Sequence, residues 1–437
     1  MKFRGLLIAV VVLLVLGGLL YWSNHHKPAA ETPSASSSTA PPTILKFDSG
    51  SVAQVSLARK GVAPVTLAKS SGGHWQITTP QSYPADQDVV SGLLASLSNL
   101  TADRVVEDKA SDLKAYGLDD PSVTLNVTLK DHKDHKLLLG DDTPAGSDIY
   151  AMLTGDPRIF TIASYTKTSV DKGLNDLRDK RLLTVQPDKV SRVSLEKKGQ
   201  AIEFARTKDG WQILKPNPLR ADAFAVDEFV RSVTDARMDL NAKDNEHPAT
   251  DFAKATPLAT VTLTGNQGPQ MLTVRKNKDD YFAKSSIVDR VYKVDSSVGT
   301  ALSKSLDDFR NKKLFDFGFE TPSKIEFHAG SKSWFLTHSG NDWWSNGKKM
   351  EGAAVDALVE NLRNLTAASF PDSGFTTPAI EATVTSSDGK QKETVLIANS
   401  GTAKRDKEPA LYQLAPSTVT NLTNSFNALK PAASAVK

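Results

Sequence analysis

The chain has 437 residues, with 53 Lys+Arg against 50 Asp+Glu and a formal net charge of +3. That excess is too small over such a length for a general nucleic-acid-binding surface. A hydrophobic fraction of 39% and a charged fraction of 24% describe a globular body of roughly two to four domains, and the lack of any cysteine excludes disulfides, thiolate zinc sites, iron–sulfur clusters, a Cys nucleophile and a lipidated N-terminal Cys.

The first predicted element is the uncharged apolar run Leu6–Trp22. As a helix it would cover roughly 25 Å, the short end of what crosses a hydrocarbon core. Lys2 and Arg4 precede it, so the positive-inside bias keeps the N-terminus cytoplasmic and exports the rest. A basic start and an apolar run also describe a cleaved signal peptide. The run is long for that, however, and Tyr21-Trp22-Ser23-Asn24-His25-His26 offers no small-x-small cleavage site. The expectation is a single-pass inner-membrane anchor over residues 1–26 carrying a periplasmic or otherwise extracytoplasmic body. Residues 27–43, KPAAETPSASSSTAPPT, cannot bury enough apolar surface to offset ordering entropy and read as a tether.

Beyond the tether the chain repeats itself. Trp75-Gln76-Ile77 returns as Trp211-Gln212-Ile213, and the same offset of 136 carries Pro80 to Pro216, Ala85-Asp86 to Ala221-Asp222, Tyr116 to Phe252 and Pro121 to Pro257. Asp176-Leu177-Arg178-Asp179-Lys180 returns as Asp308-Phe309-Arg310-Asn311-Lys312. A third copy is weaker: Leu97–Ala102 matches Leu362–Ala367, Trp211 matches Trp343, and the closing Asp-x-Arg-x-Lys is missing. Each copy has one apolar stripe at i, i+3, i+4, i+7: Val90, Leu93, Leu94, Leu97; Val226, Phe229, Val230, Val233; Val355, Leu358, Val359, Leu362. That spacing predicts a short amphipathic helix in each.

Around the first stripe the period is two, predicting strands at Val52–Ala58, Pro64–Lys69, Trp75–Thr79, Val123–Leu129, Lys136–Gly140, Ile149–Leu153 and Arg158–Ala163. Closing helices are predicted at about Tyr165–Arg181 and Ser296–Asn311. The predicted class is α+β: an N-terminal transmembrane helix, then three related antiparallel-sheet-plus-helix modules. Their predicted extents are 44–183, 184–315 and 316–430, with a tail at 431–437.

The Trp-x-Ile with its following Pro and Ala-Asp, then Tyr116-Gly117-Leu118-Asp119-Asp120-Pro121, Leu138-Leu139-Gly140-Asp141, Thr143-Pro144, Tyr150-Ala151 and the closing Asp-x-Arg-x-Lys, are together similar to one bacterial family. The chain resembles the domain of unknown function 4340, over roughly residues 45 to 315 and only poorly in copy three. The resemblance implies an N-terminal anchor, an exported repeated body and a neighbouring gliding-type membrane transporter as partner. It carries no catalytic residues.

Candidate chemistry is thin. His132 and His135 have zinc-ligand chemistry but alternate with lysines in what reads as an exposed hairpin tip, where copy two has the plain turn Gly265–Gly268. Asp119-Asp120 and Asp141-Asp142 could do acid–base work, yet both run into turns and read as turn formers. Trp75, Trp211 and Trp343 recur at one position and read as core, which leaves Trp334 and Trp344 as surface candidates. Arg178 and Arg310 read as helix-end cations that bridge back to the nearby Asp or on to the next module, with an anion site or partner surface as the alternative. No catalytic set, cofactor or metal site is predicted. The expected function is a non-enzymatic envelope protein that scaffolds or assists a membrane complex, with a protein partner and no nucleic acid. The alternative is an exported hydrolase of cell-wall or surface polymer.

Overall fold

One pattern of strand pairing is built three times. The structure, a computed structural model, describes residues 41–240 and 248–433. The predicted anchor Leu6–Trp22 lies outside them; among the described residues no helix is long and apolar enough to cross a membrane. The chain divides into two compact units between Asp179 and Lys180, the first holding module one and the second modules two and three.

In module two, Arg192–Lys197, Gln200–Thr207, Gly210–Lys215 and Leu219–Arg220 wind outward to one edge of the sheet. The chain then crosses through the helix Ala223–Thr234 and returns as Thr256–Gly265, antiparallel beside Arg192–Lys197. Gly268–Asn277, Asp280–Ser285 and Val291–Val294 complete eight strands. Module three repeats this order in eight strands, and module one adds Arg104–Glu107 at its far edge to make nine. The sheets are antiparallel throughout, which bears out the α+β class and the repeat.

The helices Gln87–Ser98, Ala223–Thr234 and Gly352–Arg363 bury the predicted stripes. Helices of about 12 residues are marginal alone, and each fully buried aliphatic side chain contributes about 1.5–3 kcal/mol, so the stripe rather than propensity holds them. The repeated Ala-Asp is the start signal: Asp86 accepts from the backbone of Asp88 and Val89, and Asp222 from that of Ala225. Module three has Glu351 there, without a side-chain cap.

Three boundaries differ from the sequence reading. Thr43, placed at the end of the tether, opens the strand Thr43–Lys46, with Leu45 opposite Leu100 and Pro42 O accepting from Ala102 N. The same lead-in recurs where Leu182 N donates to Ala236 O, and where Leu314 N donates to Leu365 O. Leu182 and Leu183 therefore belong to module two, and Leu314 and Phe315 to module three, in whose cores they are buried. At the C-terminal end, Ala432 N donates to Lys349 O and Glu351 N to Lys430 O, so module three runs past 430.

The closing helices are also interrupted. Ser164–Val170 is followed by a separate turn at Leu174–Leu177, and Ser296–Ser303 by a 3-10 turn at Leu306–Phe309. The Asp of Asp-x-Arg-x-Lys makes the break: Asp176 accepts from Gly173 N at 2.8 Å, and Asp308 from both Ser305 N and Oγ at 2.7 Å. The Ser305 bonds hold the Asp308 carboxyl below its ordinary range. Arg178 and Arg310 thus stand at C-caps in extended backbone, past the last helical turn. Copy three closes with Pro416–Asn427 in the corresponding role, although it lacks the motif.

Candidate functional site at the seam of modules two and three

The predicted chemical residues scatter. His132 is exposed at a hairpin tip with φ 65°, while His135 stacks on Phe47 with ring centroids 6.2 Å apart. Asp120 pairs with Lys60 at 2.6 Å and Asp142 with Lys167 at 3.5 Å. Asp141 lies at a strand end with its carboxylate over Gly117, where a Cβ would meet it at 2.5 Å. The two family-like motifs of module one therefore touch. A Cβ on Gly140 would also lie 2.1 Å from Tyr116 O, while Tyr116 packs edge-on to Tyr150 at 4.8 Å and donates to Glu107 at 2.8 Å. That bond to Glu107 raises the Tyr116 phenol above its ordinary pKa.

Gly140→Ala should cost about 3 kcal/mol, the upper end of overpacking, because the obstacle is backbone. Gly92→Ala, on an open helix face, should leave stability unchanged or slightly raised. Urea denaturation of the full chain checks the pair, and equal midpoints would refute the packing account of the motifs.

The repeated tryptophans are core, with Trp75, Trp211 and Trp343 only 5%, 6% and 3% exposed. Each ring is covered by its cross-strand neighbour: Lys69, Arg206 and His338. Trp334 points inward, half-buried against the core of module three, so it is not the surface residue the sequence suggested. Trp344 is on the outer face. Arg178 lies over its own module's Tyr83 at 4.0 Å. Arg310 pairs with Asp307, not with Asp308, and lies over Phe370 of module three at 3.7 Å. Both guanidinium groups are thus engaged within the chain instead of forming an open partner surface.

Arg310 leads to a group that sequence reasoning missed. Arg405, its side chain 12% exposed, pairs with Glu393 at 2.9 Å and Glu408 at 2.8 Å, lies 3.9 Å from Asp316, and donates to Leu314 O. Arg220 of module two bonds Asp316 and donates to Lys313 O at 2.7 Å. Tyr412 donates to Glu408 at 2.9 Å, and Glu393 accepts from Asp316 N at 2.8 Å. Burial works against the Arg405 charge, but Glu408, the Glu393 hydrogen bond and Asp316 outweigh it and hold the guanidinium above its ordinary pKa. Burial, with Glu408 beside it, pushes the Tyr412 phenol up.

A groove of about 630 Å³ opens over this network, lined among others by Lys208, Asp209, Gln212, Asn311, Lys407 and Glu408. Module two meets the same problem with a neutral residue. Gln270 accepts from Thr184 N at 2.8 Å, as Glu393 does from Asp316 N. The charges at the seam are therefore a feature of this joint and not a requirement of the module. Its chemistry is that of a lock: three carboxylates and a second guanidinium gather around a buried guanidinium.

No curated protein and no solved structure matches the chain. A family model does, over residues 75–219 and 211–386. Both segments open on the repeated Trp, and the second reaches the strand Pro378–Thr385 of module three, further into the third copy than the sequence motifs suggested. With the matches running from 75 to 386, the chain belongs to the family described as domain of unknown function DUF4340.

Proposed function

We propose that the protein is a non-enzymatic, membrane-anchored envelope scaffold that assists a membrane complex. The observation that carries this reading is the seam. Arg220 of module two bonds Asp316 of module three, which lies beside the paired Arg405, Glu393 and Glu408, and the two modules fall in one compact unit. A repeated body with a fixed joint offers a continuous surface to a partner. The apolar run Leu6–Trp22 behind Lys2 and Arg4 supports an inner-membrane anchor with the body outside the cytoplasm, and the family resemblance suggests a gliding-type transporter as the partner.

The test is purification of the full chain from detergent-solubilised membranes, together with complementation of a deletion strain. A membrane-embedded protein should co-purify, the chain should stay in the pellet through carbonate washing, and Asp→Asn changes at Asp119, Asp120, Asp141 and Asp142 should complement. A folded Asp→Asn variant that abolishes function would overturn the scaffold and favour an enzyme.

A further inference from the structure

The outer face of the module-three sheet carries two flat aromatic rings that the module itself does not need. Along Lys332–Ser339 the residues Trp334, Leu336 and His338 turn inward, while Ser333, Phe335 and Thr337 face out. Trp344 lies opposite Thr337, one residue pair along from Phe335, within reach as a diagonal neighbour on the same face. Phe335 is 49% and Trp344 39% exposed. The same strand positions hold Thr66 and Gln76 in module one, and Glu203 and Gln212 in module two. Two of three copies of one fold are stable with polar residues there, so packing does not explain the aromatic pair.

The surroundings define the occupant. Phe335 is paired across the sheet with Glu326, Ser333 with His328, and Thr337 with Lys324. His328 sits edge-on to Phe335 at 5.4 Å, with its Nδ1 2.7 Å from Ser333 Oγ. Two rings in a frame of hydroxyl, carboxylate, imidazole and ammonium groups match a pyranose, which has an apolar C–H face and a hydroxyl rim. Area points the same way. Aromatic side chains of about 150–250 Å² each, exposed to the fractions above, leave on the order of 200 Å² of apolar face. A stable protein interface takes roughly 800 Å² from each partner. The patch matches the footprint of sugar rings, and a protein partner would have to draw most of its contact area from the polar surface around it.

We propose that Phe335 and Trp344 form a glycan-contact platform on module three, stacking on pyranose faces of an extended polysaccharide while Glu326, His328, Ser333 and Thr337 bond its hydroxyl groups. The proposal stands apart from the scaffold reading, because either can fail alone. The experiment is co-sedimentation of the full chain in detergent micelles with insoluble peptidoglycan sacculi, chitin, cellulose and starch. The double variant Phe335→Thr/Trp344→Gln, which installs module one's own pair, is the probe, and Phe224→Ser, at another exposed aromatic, is the control. Wild type and the control should pellet with at least one polymer, and the double variant should lose affinity by about tenfold or more with an unchanged circular-dichroism spectrum. Failure of the wild type on all four polymers, or equal retention of the double variant, would overturn the platform. So would a double variant that keeps glycan binding but changes the self-association of the chain.

Discussion

Trp211→Ala should destabilise module two by about 3–5 kcal/mol, the cost of emptying a buried aromatic site. The indole does more than fill space: its Nε1–H donates to Asp227 at 2.8 Å, and Arg206, which bonds the same carboxylate, lies over the ring at 4.5 Å. Truncation therefore opens a cavity and removes a hydrogen bond and a cation–ring contact together. Trp211→Phe keeps most of the apolar volume and loses the N–H, so it should cost clearly less. Amide hydrogen exchange on the full chain resolves where the damage falls. Peptides from Arg192–Thr234 should lose protection in Trp211→Ala, while those of module one, in the other compact unit, keep theirs. Wild-type protection across module two would show that the ring is dispensable. Uniform loss over both units would show that the two do not unfold independently.

The sequence was most informative where structure is local and periodic. The three helix stripes and most hairpins of module one lie where period 3.6 and period two put them, because burial of one face dictates that spacing. Thr43–Lys46 was unreadable for the converse reason. Four residues carry no period, and the partner that makes them a strand, Asn99–Thr101, lies beyond an intervening sheet and helix. The break in each closing helix was in plain view as Asp176 and Asp308, but an apolar stripe says nothing about a carboxylate that reaches back three residues to cap a new turn. Trp334 and Trp344 look alike in the sequence because both stand outside the repeat; strand alternation turns one inward and the other out. The seam had no local signal at all. Arg220, Asp316, Glu393, Arg405, Glu408 and Tyr412 are spread over two modules, and five of the six fall in the diverged copy, where the repeat offset no longer guides alignment.

That seam supplies the other large expected effect. Arg405→Met should cost about 3–5 kcal/mol, because it leaves Glu393 buried without its cation. Glu393 is only 8% exposed and Arg405 supplies its 2.9 Å ion pair, so little water can take over. Glu408 keeps the bond from Tyr412, and Asp316 keeps Arg220, which confines the injury chiefly to Glu393. The repeat indicates the rescue. Gln270 accepts from Thr184 N in module two without any charge, so Gln at 393 can accept from Asp316 N and needs no guanidinium beside it. Arg405→Met/Glu393→Gln should accordingly be more stable than Arg405→Met alone. A double-mutant cycle read by urea denaturation gives the coupling between the two sites, expected within about 0.5–3 kcal/mol for residues in contact. Additive losses would mean that Glu393 finds water when Arg405 is gone. The module-three side of the seam would then be a wet surface cluster, and the joint would rest on Arg220 with Asp316 and on Arg310 over Phe370 alone.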